Sequence, residues 1–505
     1  MGSLLYIQGR AEVRTVSSSL EVTGSRKVVC LILVLALMQL AIALLTYGQT
    51  LYFDEATWHY IGRNWFRLGM VPYKGGYDNK SPLIFIIYGL SDILFGVNYW
   101  FPRVLGTVVQ SAGIWFLYRI AAHLAGARAG ILVVVLYGLS VLWTSTQGKY
   151  VSLTETYEVT ALIAAAYCWV TARGQRPLFV SGLFAALALG FRLTAVAGVL
   201  SIFAFSLPAR RGFYFGAGVL AGMTVLAGAI RLAGIDLSDV WHYCFADNLS
   251  AGNLFDRSFG EKMDGLVNGF IFSELAIFYP FLIGYLIVRR KVDWIVCWLL
   301  GGCICIYRIG LFDPVHFKDI LPPLSLAGGL FIDHMVGKYG MPFRPVLAMA
   351  AICFFPRTME PILVFRQLFE PPVAASSVGY CNPPFSPLDN VSRKKLGWWI
   401  RDHTRETDRV LIPFFNPVVQ VYSERVSPTI YFSLNENAPA RARFYQEVRE
   451  HRPEMVIIPL SDDYRKLVGI EMRSWIQHMV DTGYRNDTCM YGYTIYRKVK
   501  RDQYE

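Results

Sequence analysis

Long apolar runs separated by short polar loops fill residues 28–361, and the pattern changes near residue 390. A helix crossing a bilayer needs roughly 20 apolar residues, with a range of about 17–25. Runs of this kind lie near 28–48, 100–119, 129–147, 156–172, 177–191, 193–208, 213–233, 269–288, 292–308, 319–336 and 344–361. They predict about eleven spans. The segment "PLIFIIYGLSDILFGV" (82–97) is apolar but short and carries Asp92. It reads as a twelfth span or as a helix lying at the interface. Beyond 390 the β-like runs "RVLIPF", "PVVQVYS", "MVIIPL" and "YTIYRKV" alternate with the helical stretches "SRKKLGWWIRDHT" and "PARARFYQEVREH". That is an α/β pattern of about 110 residues, enough for a small core of its own.

Composition agrees. Of the 505 residues, 54% are hydrophobic and only 17% are charged, below the usual quarter for soluble domains. The expected fold class is a polytopic α-helical membrane protein with a C-terminal extracytoplasmic α/β domain. Expected boundaries are 1–27 for a cytoplasmic N-terminus, 28–361 for the membrane domain, 362–389 for a Pro-rich linker and 390–505 for the α/β domain. The first span is expected to be retained as a signal anchor. The net charge of +11 matters less than its placement, because Lys and Arg collect in cytoplasmic loops; it does not call for a nucleic acid.

Loop charge arbitrates the topology. With 82–97 at the interface, Arg26 and Lys27, Arg119 and Arg128, Arg173 and Arg176, Arg210 and Arg211, Arg289 to Lys291, and Lys338 with Arg344 all fall inside. Making 82–97 a span leaves the later basic loops outside, against the positive-inside rule. The expected orientation has the N-terminus inside and the tail outside, and the expected location is a bacterial-type inner or plasma membrane. Residues 49–99, 148–155, 234–268, 309–318 and the tail face outward. The nine cysteines show no metal-binding spacing, and those in apolar runs read as packing residues. Cys381 and Cys489 fall outside, where a disulfide is chemically allowed.

Ionisable residues at the outer span ends form a short set: Asp54, Glu55, Lys80, Glu155, Glu158, Arg192, Arg308, His316 and Lys318. Charges at the hydrocarbon boundary usually face a cavity or a partner. A cavity holding acids and bases there suits a polyprenyl phosphate, whose tail stays in lipid. Lys80, Arg192 or Lys318 could bind the phosphate, and a carboxylate could deprotonate or orient an acceptor hydroxyl.

The first outer loop resembles that of the GT-C glycosyltransferases, in the branch with protein O-mannosyltransferases and the lipid A aminoarabinose transferase. The resembling features are "DE" (54–55), "G-x-x-P" (69–72), "YDNKSPL" (77–83), "LFGVN" (94–98) with Arg103 after it, and "GKYVSLTE" (148–155). "HFKDILPPLSLAGG" (316–329) is similar to the family's His-aromatic segment leading into a Pro-containing helix. The resemblance implies interfacial helices in the first outer loop and transfer of one sugar, a hexose or pentose, from a polyprenyl-phosphate carrier to an acceptor hydroxyl on a lipid, glycan or protein, with inversion. It implies Asp54 as general base or acceptor-orienting group, Glu55 assisting it, Glu155 as a second acid, and Lys80 on the donor phosphate. Arg192, His316 and Lys318 are expected near the phosphate, and Glu158 in a secondary or acceptor role. No cofactor is expected to be required; a divalent metal is compatible, with Asp54 and Glu55 its candidate ligands. "NKSP" departs from the family's more usual "KPP" or "KPL" but keeps the lysine.

Each residue also has a plainer reading. An Asp-Glu pair suits a helix N-terminus, Lys80 could snorkel to the interface, and Glu155 with Glu158 could simply start a span. The frames at Asn248, Asn390 and Asn486 match a glycosylation acceptor. Trp398 and Trp399 suit packing on the membrane or in the tail's own core. The alternatives to the enzyme are a secondary transporter, which also embeds charges, and a non-catalytic lipid-glycan scaffold.

Overall fold

The computed structural model describes residues 18–45, 49–142, 151–207, 210–246, 258–271, 273–310, 312, 314–355, 390–413, 417–432, 438–460, 464 and 468–499. The expected linker, Cys381 and Asn248 lie outside the described residues.

The apolar runs become helices: α1 (Ser18–Leu45), α4 (Trp100–Ala125), α5 (Ala127–Ser140), α6 (Thr154–Val170), α7 (Gln175–Phe191), α8 (Val196–Ala204) and α9 (Arg210–Leu232). Before α4 come α2 (Phe53–Leu68) and α3 (Pro82–Phe95). After α9 come the single turn α10 (Leu237–Val240), α11 (Phe259–Ile271), α12 (Tyr279–Arg289), α13 (Trp294–Ile309), α14 (Leu321–Tyr339) and α15 (Phe343–Phe354). Among the described residues, Arg26–Leu45, Trp100–Ala125, Arg210–Leu232 and Val315–Tyr339 are each long and apolar enough to cross a membrane alone. α3 has 14 residues, about 21 Å of helix, which is short of the roughly 30 Å hydrocarbon core. The expected span 269–288 is instead a bent pair, Phe259–Gly269 and Glu274–Arg289, meeting at 63°. Two features place the break: Ser273 caps the second piece by accepting from the Leu275 amide, and Pro280 stands in the first turn of α12, where its missing N–H costs nothing.

α4 packs against both α5 and α6, α6 against α7 and α7 against α9, and α14 lies between α5 and α13. Their buried Leu, Ile, Val and Ala side chains form one core. α2 and α3 form a second core with the C-terminal residues Val418, Val421, Tyr422 and Phe432. α2 and α3 cross so closely that a Cβ on Gly62 would stand 2.5 Å from the Gly89 amide nitrogen.

The tail has α16 (Asn390–Asp402), α17 (Pro417–Ser423), α18 (Ala438–Glu450), α19 (Ile470–Gly483) and strands β1 (Val410–Leu411), β2 (Met455–Pro459), β3 (Tyr484–Met490) and β4 (Tyr493–Lys498). The sheet order is β1-β2-β4-β3, with β1 and β2 parallel and the other pairs antiparallel. β3 and β4 are joined by Tyr491 and Gly492, both at positive φ, as a type I′ hairpin turn requires. "PVVQVYS", expected as a strand, is the helix α17. All seven of its residues are buried, so no polar face marks its period and the run reads alike as helix or strand. α17 fits between α16 and α2, where Gly397 leaves room for Tyr422. Trp399 packs in the tail core and stacks on His403, while Trp398 meets Tyr422 edge-on. Cys489 is disulfide-bonded.

Candidate functional site

Two charge clusters face each other where α2 begins. The first is built on α2 and the segment leading into α3. Asp54 and Glu55 occupy the first turn of α2, where the helix dipole favours carboxylates. Their surroundings differ. Glu55 is 1% exposed and wholly committed. Its Oε1 accepts from Arg103 Nε at 3.0 Å and from the Ser152 hydroxyl. Its Oε2 accepts from Arg103 Nη2 at 2.6 Å and from the Tyr52 amide at 2.8 Å. Arg103 spends its remaining donors on the carbonyls of Ala43 and Thr50. Glu55 therefore ties α1, α2, α4 and the loop before α6 into one frame.

Asp54 is half-buried and makes no hydrogen bond or ion pair with the described residues. Burial pushes its carboxyl up to about 7; the positive charge of Lys80 opposes this, and the negative charges of Asp78, Glu155 and Glu55 add to it. Lys80 lies just before α3, and its ammonium donates to Asn79 Oδ1 at 3.0 Å. Asp78 accepts from the Trp58 indole at 2.6 Å and from the Asn79 amide; burial raises its carboxyl.

The second cluster is drawn from three distant segments. Glu155 and Glu158 come from the first turns of α6, Arg192 from the end of α7, and His316, Lys318 and Asp319 from the 3-10 turn Pro314–Ile320 that leads into α14. That turn passes into α14 through Pro322 and Pro323, which sit where helix N–H groups have no partner to lose. Arg192 Nη1 lies 3.2 Å from Glu155 Oε1, 3.4 Å from Asp319 and 3.8 Å from Glu158. Its Nη2 is 2.7 Å from His316 Nδ1, which is 3.4 Å from Glu155. Thr194 donates to Glu158 at 2.8 Å. Lys318 is buried, 3.5 Å from the Thr156 hydroxyl. A Cβ on Gly106 would strike the Val151 carbonyl, so the lack of a side chain there lets α4 support the strand of chain that carries Ser152 and Glu155.

The structure thus brings Asp54 and Lys80 together, and separately Glu155, Glu158, Arg192, His316 and Lys318. Glu155 is the link, since its charge acts on Asp54. Arg308 stands exposed on the last turn of α13. Asp78, Asp319 and Trp58 were not singled out from the sequence. "YDNK" and "HFKD" place both acids beside the expected lysines, and that adjacency was the available signal. No group of three or more His, Cys, Asp or Glu suited to a metal ion stands among the described residues.

Residues 79–230 match the family described as PMT_2, dolichyl-phosphate-mannose-protein mannosyltransferase. No curated protein matches the chain. The fold is similar to that of ArnT from Cupriavidus metallidurans bound to undecaprenyl phosphate: TM-score 0.65, 12% identity, 94% of this chain and 99% of that one covered. The apo form of the same protein gives 0.64 at 12% identity, covering 94% and 98%. The archaeal oligosaccharyltransferase AglB from Archaeoglobus fulgidus gives 0.49 at 10% identity, covering 88% and 70%. The chain is an integral membrane protein whose fold is similar to that of ArnT, and its residues 79–230 match the dolichyl-phosphate-mannose-protein mannosyltransferase family.

Proposed function

We propose that this protein transfers a sugar from a polyprenyl monophosphate to an acceptor hydroxyl at the outer face of the membrane. The observation that carries the reading is the pair Asp54 and Lys80. Asp54 is a half-buried carboxylate with no hydrogen-bond partner among the described residues, held near a pKa of about 7. The Lys80 ammonium beside it touches no carboxylate within ion-pair distance among the described residues. An unspent base next to an unspent cation suits a displacement at an anomeric carbon.

The step balances as follows. The acceptor oxygen forms a bond to the anomeric carbon as the bond from that carbon to the phosphate oxygen breaks. The acceptor proton passes to Asp54, and the electron pair leaves with the phosphate. A general base at that position contributes about 10²–10⁴-fold. Lys80 stabilises the charge that grows on the departing phosphate. Attack opposite the leaving group inverts the anomeric centre. Glu155 acts on Asp54 by its charge; Arg192 neutralises the carboxylates of its cluster, and His316 and Lys318 add to that balance. The phosphate contact is assigned to Lys80 first, because Arg192 is already shared among Glu155, Asp319 and Glu158. Both oxygens of Glu55 already accept two hydrogen bonds each, so the Asp54–Glu55 pair does not fit a shared metal ion, and Lys80 takes the charge-neutralising part. The loop charges support an inside N-terminus and an outside tail.

The test compares the surface glycans, glycolipids and glycoproteins of cells carrying the protein, lacking it, and carrying Asp54→Asn, by mass spectrometry. A sugar modification present only with the unaltered protein supports the reading. Identical profiles in all three, with altered solute uptake, would replace it with the transporter.

A further inference from the structure

The backbone of Lys80 is held by a contact that the reaction itself does not require. Its carbonyl oxygen accepts from the Tyr73 hydroxyl at 2.6 Å and from the Cys244 thiol at 3.1 Å. The hydroxyl and the thiol also touch, at 2.9 Å. Cys244 is buried, is not in a disulfide, and lies more than 160 residues further along the chain than Lys80. It sits on a π-helical segment, Trp241–Ala246, a rare geometry found frequently at functional sites. Tyr73 is held at φ 68°, in the left-handed region that bulky side chains avoid. Such strain persists only where neighbours over-determine it. Here the neighbours are evident: the Tyr73 ring stacks on Tyr243 at 5.3 Å and 19°, and the Tyr73 amide bonds the Gly76 carbonyl. Tyr243 in turn accepts from Arg443 of α18 at 2.8 Å.

We propose that Tyr73 and Cys244 are positioning residues for Lys80, clamping its backbone carbonyl so that the ammonium is pre-set at the donor phosphate. The inference rests on the phosphate role of Lys80. Two donors on one carbonyl fix the peptide plane from which the lysine side chain starts. The side chain has four rotatable bonds, and a fixed origin reduces what must be ordered when the phosphate arrives. The π-helical segment is the arm that delivers the thiol. The Tyr243–Arg443 contact braces that arm from the C-terminal domain. The clamp therefore explains why an outer segment remote in sequence reaches the start of α3.

The experiment uses the purified full-length protein in lipid nanodiscs and undecaprenyl phosphate as the probe, with binding read by titration and folding by thermal melting. Lys80→Met, Tyr73→Phe, Cys244→Ala and Cys244→Ser are compared. Tyr73→Phe and Cys244→Ala each weaken binding by about 3- to 10-fold, the loss of one neutral hydrogen bond, while Cys244→Ser, which keeps a donor, stays within about twofold of the unaltered protein. A merely structural thiol predicts lower melting points with unchanged affinity in the folded fraction, and that result overturns the inference. If Cys244→Ala does not fold, Tyr73→Phe decides, since it removes one hydroxyl and no volume of the ring. Unchanged binding in Lys80→Met sinks the phosphate role itself. Lost binding in Lys80→Met with full binding in Tyr73→Phe and Cys244→Ala sinks the clamp alone.

Discussion

Asp54 and Glu55 are consecutive residues on the first turn of α2, and their carboxylates have opposite fates. Glu55 is clasped by Arg103, with 2.6 Å between Oε2 and Nη2. Asp54, one residue earlier, has no such clasp among the described residues; burial pushes its carboxyl up to about 7, with Lys80 opposing and Asp78, Glu155 and Glu55 adding to it. The division separates a carboxylate that builds the site from one free to act in it. Asp54→Asn is expected to lower transfer by about 10²–10⁴-fold while membrane insertion and melting point stay unchanged. Initial rates on reconstituted protein, with the amount inserted measured in parallel, check this. Full activity in the variant would exclude Asp54 as base.

The pH profile follows from the same carboxyl. A base must be unprotonated, and Asp54 is raised to about 7. Activity should therefore climb as pH rises through about 7 and level off above it. Asp78 contributes to raising Asp54, so Asp78→Asn should move the climbing limb to lower pH. An unmoved limb in that variant argues that the titrating group is elsewhere.

Glu55→Gln is expected to act on stability before chemistry. It leaves the Arg103 guanidinium, fully buried, without its anion. Breaking one partner of a buried pair costs about 3–5 kcal/mol, and the variant should melt earlier and accumulate less in membranes. Removing both charges in Glu55→Gln with Arg103→Met should recover part of the loss. If the double variant is no better than the single one, the pair is not the source.

Arg192 is the only cation within ion-pair distance of Glu155, Glu158 and Asp319 among the described arginines and lysines. Arg192→Gln leaves those three carboxylates with only Lys318 and His316 to offset them, and transfer should fall at least tenfold. Adding Glu158→Gln removes one of the unbalanced charges and should restore part of the activity, read as kcat/KM for the donor. A cycle in which the two changes simply add would show that the charges are not coupled.

Gly62→Ala tests the crossing of α2, which carries Asp54, with α3, which Lys80 closely precedes. The new Cβ would meet the Gly89 amide nitrogen at 2.5 Å and the Phe85 carbonyl oxygen at 2.6 Å, both backbone atoms that cannot swing away. Overpacking of this kind typically costs about 1–3 kcal/mol. A lower melting point with reduced transfer is expected. Wild-type values for both would show that α2 and α3 can separate without effect.

The frames for glycosylation separate in the same physical way. Asn390 is buried in the tail, where its Oδ1 accepts from Arg393 at 3.2 Å. Asn486 is exposed on β3. Neither difference is written in the three-residue frame, because the frame does not specify burial.

The order of apolar runs determined by itself that the chain is a helical membrane protein with an α/β tail, because lipid accepts only segments whose backbone bonds close within a helix. It also set the run 82–97 apart as a span or an interfacial helix, with loop charge favouring the interface, and marked the charged residues at span ends as the place to look. The chain's local pattern could not decide α17, whose fully buried "PVVQVYS" carries no period, or the 63° break before α12. Nor could it tell Asp54 from Glu55. That distinction depends on Arg103, Ser152 and the end of α1 meeting one carboxylate and leaving its neighbour alone. Loop topology grouped Glu155, Glu158, Arg192, His316 and Lys318 at one face, but the sharing of Arg192 among Glu155, Glu158 and Asp319 was out of reach of the chain's order. Hydrophobicity is a property of a segment and is read along the chain; ion pairs and clamps belong to a packed arrangement, and only folding brings their partners within reach.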